Sequence, residues 1–155
     1  MNEIRRTFLK LTGGVGALAA AAAAAGLIAS GNAWAAWNKE GFESKALAEV
    51  LKTLGATSAA ESKDIAITAP DIAENGAVVP IAVASKIPNT ESISIIAEKN
   101  PFPLAATFRM SNGAESSFST RIKMGQTSNV YALVKADGKY FTAKKEIKVT
   151  VGGCG

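Results

Sequence analysis

The sequence predicts an all-β fold, a sandwich of about seven strands preceded by one short helix, on three observations. From residue 64 the chain falls into short segments rich in β-branched residues. These segments are divided by Pro, Gly and Asn or Asp turn signals at the spacing of an all-β sandwich, and one stretch upstream, 42–54, has helical periodicity. With 155 residues, 48% hydrophobic and 19% charged, the chain has globular composition and the length of one ordinary domain.

Residues 1–35 stand apart from that domain. Arg5, Arg6 and Lys10 form a basic start, the stretch from Val15 to Ala29 is almost all Ala, Leu and Gly, and Ala33 and Ala35 in "AWA" supply the two small residues of a cleavage site. The pair Arg5–Arg6 followed by Phe8, Leu9 and Lys10 resembles a twin-arginine export signal, a receptor-read address, although Ile4 stands where that pattern usually has Ser or Thr. The expectation is removal after Ala35 and a periplasmic protein. The apolar stretch is short for a membrane span, and no cysteine follows Ala35 to take a lipid. The domain is therefore expected over 36–151 and a carrier arm over 152–155.

The elements follow in order. Leu47, Val50, Leu51 and Leu54 recur after Phe42 at spacings of three and four, giving one apolar stripe on a helix of about three turns, 42–54, which Gly55 is placed to end. The candidate strands are "DIAIT", "VVPIAVA", "SISIIAE", "LAATFRM", "SSFSTRIK", "SNVYALVKA" and "KYFTAKKEIKVTV", enough for an immunoglobulin-like β-sandwich. "AENGA" and "ADGK" carry turn dipeptides, the second reading as a tight hairpin, and Pro88, Pro101 and Pro103 interrupt any ladder they enter. The last strand alternates Ile147, Val149 and Val151 inward with Lys148 and Thr150 outward. The apolar runs "SISIIA" and "VYALV" leave two readings open: a face covered by a partner subunit, or strands that are simply core.

Composition excludes several chemistries. The net charge of +4 becomes +2 once 1–35 is removed, because that segment holds Arg5, Arg6 and Lys10 against Glu3, and so small a charge argues against a nucleic-acid binder. There is no histidine and a single cysteine, which makes a usual zinc, copper or iron–sulfur site untenable and excludes histidine-assisted hydrolysis. No cofactor and no metal are expected. Asp64, Asp71, Glu74, Glu91 and Glu98 fall on or beside predicted turns and strands without a motif, and read as solvated surface acids.

What remains is Cys154, in the terminal "KVTVGGCG". An oxidising compartment pairs thiols, so an odd cysteine points to intermolecular pairing or a reactive thiol. Gly152, Gly153 and Gly155 leave it on a flexible, bulk-free arm, its sulfur roughly 10 Å beyond Val151 when extended. A tail offers no neighbouring base to activate the thiol, so Cys154 suits the role of a handle pushed into another protein's pocket better than that of a catalyst. Two other readings stay open from the residues alone. One is a structural sandwich module dimerised through its cysteine; the other is a thiol-dependent redox enzyme, for which no resolving cysteine is present.

The chain resembles the SoxY family, sulfur-carrying subunits of the periplasmic Sox system of thiosulfate oxidation. The resemblance rests on "APDIAENGAVVPI" (69–81), "EKNPFPLAATF" (98–108), "TRIKMGQTSNVYAL" (120–133) and the terminal "KEIKVTVGGCG". It implies that Cys154 is the covalent attachment site, to which thiosulfate is joined as a cysteine S-thiosulfonate and on which later sulfur intermediates ride. It implies a carrier rather than an enzyme, a heterodimer with SoxZ, and transient encounters with the haem protein SoxAX, the sulfate-releasing hydrolase SoxB and, where present, a sulfane dehydrogenase. The family's tail usually has a second glycine after the cysteine, where this sequence stops at Gly155.

Overall fold

The computed structural model describes residues 38–111 and 114–150. Among the described residues two short helices, α1 (Lys39–Glu43) and α2 (Leu47–Leu54), precede nine strands. These are β1 (Ala60–Glu61), β2 (Ile65–Thr68), β3 (Ile72–Ala73), β4 (Val79–Ser85), β5 (Thr90–Ala97), β6 (Leu104–Arg109), β7 (Ser117–Ile122), β8 (Ser128–Ala136) and β9 (Lys139–Val149). All seven predicted strands are present. The two not predicted, β1 and β3, have two residues each and exist only because β9 pairs with them in parallel. So short a strand has no periodicity of its own to read.

The predicted single helix is divided. Asn38 Oδ1 accepts the Gly41 N–H (3.0 Å) at the start of α1, and α1 ends where Ser44 turns extended with its hydroxyl donating to the Glu40 carbonyl (2.8 Å). The Lys45 N–H donates to the Glu49 carboxylate (3.0 Å), and α2 then runs to Gly55, which adopts φ +75° as its left-handed cap.

One sheet has the order β1-β9-β8-β5-β6, with β3 also on the outer edge of β9; the other is β2-β4-β7. Between them Ile65, Val79, Ile81, Val83 and Ile122 from the smaller sheet meet Ile93, Ile95, Val130, Ala132, Val134 and Ile147 from the larger. The opposite face of the larger sheet is covered by the helices, where Val50 packs with Ile96, Leu104 and Leu133, and Phe42, Leu47, Leu51 and Leu54 complete the patch. This decides between the two readings of "SISIIA" and "VYALV". They are the central strands β5 and β8, buried on both faces within the chain, so their continuous apolarity is core. Burial of these side chains, at about 25 cal/mol per Å² of apolar surface, supplies the main stabilisation.

Both open sides of the sandwich are closed by contacts between the sheets. On one, Phe108 of β6 stacks on Phe118 of β7, centroids 3.8 Å apart at 29°. On the other, the chain passes from β1 in the larger sheet to β2 in the smaller and back to β3, lacing the edge of β9. Among the described residues no helix is long and apolar enough to cross a membrane.

"ADGK" forms the expected tight hairpin, with Ala136 opposite Lys139 and both Asp137 (φ 47°) and Gly138 (φ 70°) left-handed. Beside it, Glu91 takes a 2.6 Å ion pair from Lys135 and the Gly138 N–H (3.0 Å). The Lys135 ammonium first, then the Gly138 amide, hold the Glu91 carboxyl below its ordinary value, and Glu91 raises Lys135 in return. A lowered carboxyl contributes stability above its ordinary value of 4.5 and loses it as pH falls through the folded value. Because the pair is solvent-exposed, its contribution is small. Glu91→Gln is expected to lower the melting temperature slightly at neutral pH, and the gap to wild type should close as a calorimetric series moves below pH 4.5.

Candidate functional site

Cys154, Gly152, Gly153 and Gly155 lie outside the described residues, as do Arg5 and Arg6. The structure describes the base from which the tail departs, up to Thr150. There the backbone of β9 is gripped from both edges in alternation. Lys148 N–H donates to the Asp71 carbonyl (3.0 Å) and Thr150 N–H to the Ala73 carbonyl (3.1 Å), both on the β3 side. Between them, Val149 N–H points the other way. β8 has already ended, its first residue Ser128 lying opposite Ile147, and the Thr127 hydroxyl takes the Val149 N–H at 3.0 Å in place of a strand. Ile147 is buried and Val149 half-buried while Lys148 and Thr150 are exposed, which is the predicted alternation.

Three loops converge on this end. The first, between β3 and β4, holds "AENGAVV". Asn75 Oδ1 accepts the Ala77 N–H (2.9 Å) to make an Asx turn, and the Gly76 carbonyl accepts the Met124 N–H (2.7 Å). Gly76 owes its place to space rather than to φ, because a Cβ there would strike the Met124 carbonyl oxygen and lie 2.8 Å from Val149 Cγ1. The second, between β5 and β6, holds "EKNPFP". The third, "KMGQT" between β7 and β8, ties the others together: Asn100 donates to the Lys123 carbonyl (2.7 Å) and accepts from Gly125 N–H (3.3 Å), and Gln126 donates to the Lys99 carbonyl (3.3 Å). Ser128 and Asn129 extend the link, Ser128 Oγ accepting Lys99 N–H (3.0 Å) and Asn129 donating to Glu98 (2.9 Å).

At the edge, Lys145 anchors the approach to β3, its Nζ donating to the Ala69 carbonyl (2.6 Å) and pairing with Asp71 (3.0 Å). The acids expected at the surface are there: Asp64, Asp71, Glu74 and Glu91 are exposed and Glu98 is half-buried. Among the described residues no group of acids, histidines or cysteines is arranged to hold a metal ion. What the arrangement can do is mechanical: it fixes the position and direction from which residues 151–155 start.

The sequence reading named the tail and missed this base. The four segments that carry the family resemblance in the sequence turn out to be the three loops and the strand that meet here. Their signal was visible as Asn, Gly and Gln clustered in turns. Which loops would meet could not be read, since that depends on the sheet order.

Known proteins resemble this chain in sequence and in fold. The model of the sulfur oxidation protein SoxY family matches residues 50–154, a span that holds all three loops, β9 and Cys154. Among solved structures, the sulfur carrier protein SoxY from Chlorobium limicola f thiosulfatophilum is 36% identical, with TM-score 0.63, covering 73% of this chain and 99% of that one. Superoxide reductase (neelaredoxin) from Ignicoccus hospitalis, 22% identical, has TM-score 0.51 over 59% of this chain and 83% of its own, a likeness of fold alone. No curated protein matches.

Two substitutions test the base. Gly76→Ala is expected to cost about 1–3 kcal/mol in urea unfolding, because neither the Met124 backbone nor β9 can withdraw freely. Thr127→Val, which keeps the shape and removes the acceptor, should cost about 1 kcal/mol and speed hydrogen exchange at Val149 while leaving the centre of β8 unchanged.

Proposed function

Because the chain belongs to the SoxY family, we propose that it is a sulfur carrier of thiosulfate oxidation, with Cys154 as the covalent attachment site. The observation that carries this reading is that the family match runs through Cys154, the one cysteine of a chain that has no histidine. A group that must remain bound while other proteins act on it is best held by a protein with nothing to attack it. A second thiol would discharge the cargo by forming an internal disulfide.

Loading joins the Cys154 sulfur to the outer sulfur of thiosulfate. A new S–S bond forms, the thiol proton is lost, and two electrons leave to an acceptor, which SoxAX would supply through its haem. The product is a cysteine S-thiosulfonate. Hydrolysis by SoxB would then break the bond between the outer sulfur and the sulfonate: water provides the fourth oxygen of sulfate, two protons are released, and a persulfide remains on Cys154. A sulfane dehydrogenase would oxidise that persulfide further. The chain itself carries no catalytic residue in this scheme.

The carrier works as a heterodimer with SoxZ. Residues 1–35 act as a twin-arginine-type signal read through Arg5 and Arg6, which places the domain 36–151 and the arm 152–155 in the periplasm. Gly152, Gly153 and Gly155 give the arm a cross-section small enough for a narrow pocket. The rigid end of β9, held by Ala73, Asp71 and Thr127, gives it a fixed pivot.

The test is chemical. Intact-mass measurement of the chain from thiosulfate-grown cells should show sulfur-containing adducts on Cys154, and Cys154→Ser should abolish thiosulfate-dependent electron transfer in a reconstituted system. Full activity of Cys154→Ser would end the carrier reading. A reducible homodimer as the sole active species would favour the cysteine-linked module instead.

A further inference from the structure

An asparagine followed by glycine can lose its side-chain amide to its own backbone, because a glycine without Cβ leaves its amide nitrogen open to approach the asparagine Cγ. The described residues contain one such pair, Asn75–Gly76, in the loop between β3 and β4, where Asn75 is exposed; Asn112–Gly113 lies outside them. At Asn75, Oδ1 accepts the Ala77 N–H at 2.9 Å, which curls the carboxamide back along the Gly76 peptide as an Asx turn. The Ala77 N–H therefore sits on the oxygen where negative charge develops when Cγ is attacked, as a backbone donor does in an oxyanion hole. The nucleophile, the Gly76 N–H, and the leaving group, the Asn75 amide nitrogen, donate to no acceptor among the described residues. Asp137–Gly138 is the contrast. There the Gly138 N–H is held by the Glu91 carboxylate (3.0 Å), Asp137 Oδ2 accepts from Asn89 (3.3 Å), and a carboxylate is a poorer electrophile than a carboxamide.

We infer that Asn75 is a self-modification site, where the loop converts to iso-aspartate and in doing so loosens the base of the tail. The Gly76 nitrogen bonds to Asn75 Cγ, the Cγ–Nδ2 bond breaks, and the Gly76 proton leaves with the amide as ammonia. Water then opens the cyclic imide, and nothing is oxidised or reduced. Opening at Cγ leaves aspartate. Opening at the α-carbonyl leaves iso-aspartate, in which the main chain runs through Cβ and Cγ and is longer by one atom.

The loop has no slack for that atom. It is fixed at Ala73, paired with Val149 of β9, and at Val79, fully buried and paired with Ile122 of β7. Between these ends Gly76 is pressed so closely that even a Cβ would strike the Met124 carbonyl oxygen and lie 2.8 Å from Val149 Cγ1. A longer backbone must push Gly76 off this position, and the bond from the Met124 N–H to the Gly76 carbonyl (2.7 Å) is the first to be lost. The Asx turn goes with it, since its acceptor has become a main-chain carbonyl. Ala73, whose carbonyl holds the Thr150 N–H (3.1 Å), lies two residues before Asn75, so the disturbance reaches the point from which residues 151–155 start.

The experiment incubates the full chain in mildly alkaline buffer at physiological temperature, folded and, in parallel, unfolded in urea. Trypsin then releases the peptide 64–86, which holds Asn75 as its only side-chain amide. That peptide should exchange NH for O in its mass at least as fast from the folded chain as from the unfolded one, and isoaspartyl methyltransferase should label it while the peptide bearing Asp137 stays unlabelled. Slower conversion in the folded chain would overturn the proposal, because the loop would then protect Asn75; equal labelling of the two peptides would overturn it as well. The iso-aspartyl chain, separated by ion exchange, should show hydrogen exchange about tenfold faster at Met124 and Thr150, corresponding to about 1.4 kcal/mol of lost local stability, with the hairpin at 136–139 unchanged. Asn75→Asp, which adds the charge without lengthening the chain, should leave both amides as in wild type. Unchanged exchange in the iso-aspartyl chain, or the same acceleration in Asn75→Asp, would remove the loosening of the base by a longer backbone.

Discussion

The last residues of β9 are hydrogen-bonded in alternation to β3 and to the Thr127 hydroxyl, and the arrangement of the whole arm end depends on that grip. A strand that has outrun its neighbour normally frays, because its N–H groups lose their acceptors to water. β8 begins at Ser128, two residues short of the end of β9, and Thr127 fills the gap with a side chain. On the opposite edge two residues of β3 do the work of a strand. The tail therefore leaves from a fixed point rather than from a loose terminus.

That grip explains features otherwise without a reason. Gly76 is needed because the loop that carries β3 into β4 must pass against both the Met124 backbone and the Val149 side chain. Asn100 and Gln126 hold the 98–103 and 123–127 loops together. Lys145 closes the approach to β3 through Ala69 and Asp71. The groups most coupled electrostatically, Glu91 and Lys135, sit at the other end, beside the hairpin. The end from which residues 151–155 start relies on backbone hydrogen bonds and packing, which respond little to pH near neutrality.

A sandwich whose open sides are bridged and whose larger sheet has a helical cover also accounts for the distribution of apolar surface. β5 and β8 spend their apolar side chains on the inter-sheet core and on the patch under α2. Among the described residues the large apolar groups left exposed are Ile72, Val78 and Phe102.

The seven long strands, the hairpin at Asp137–Gly138 and the cap at Gly55 were all legible in the residues, because each is governed by local rules: alternation and turn chemistry. The break between α1 and α2 was not, since it follows from Ser44 and Glu49 bonding the backbone in ways a periodicity does not register. β1 and β3 were invisible because two residues make a strand only when a third, distant segment offers an edge. For the same reason the sequence marked "AENG" as a turn but could not show that its glycine makes room for Met124 and Val149. Local chemistry determined which elements would form and which residue types could react; the pairing of segments far apart in the chain decided where β9 ends and which loops meet there.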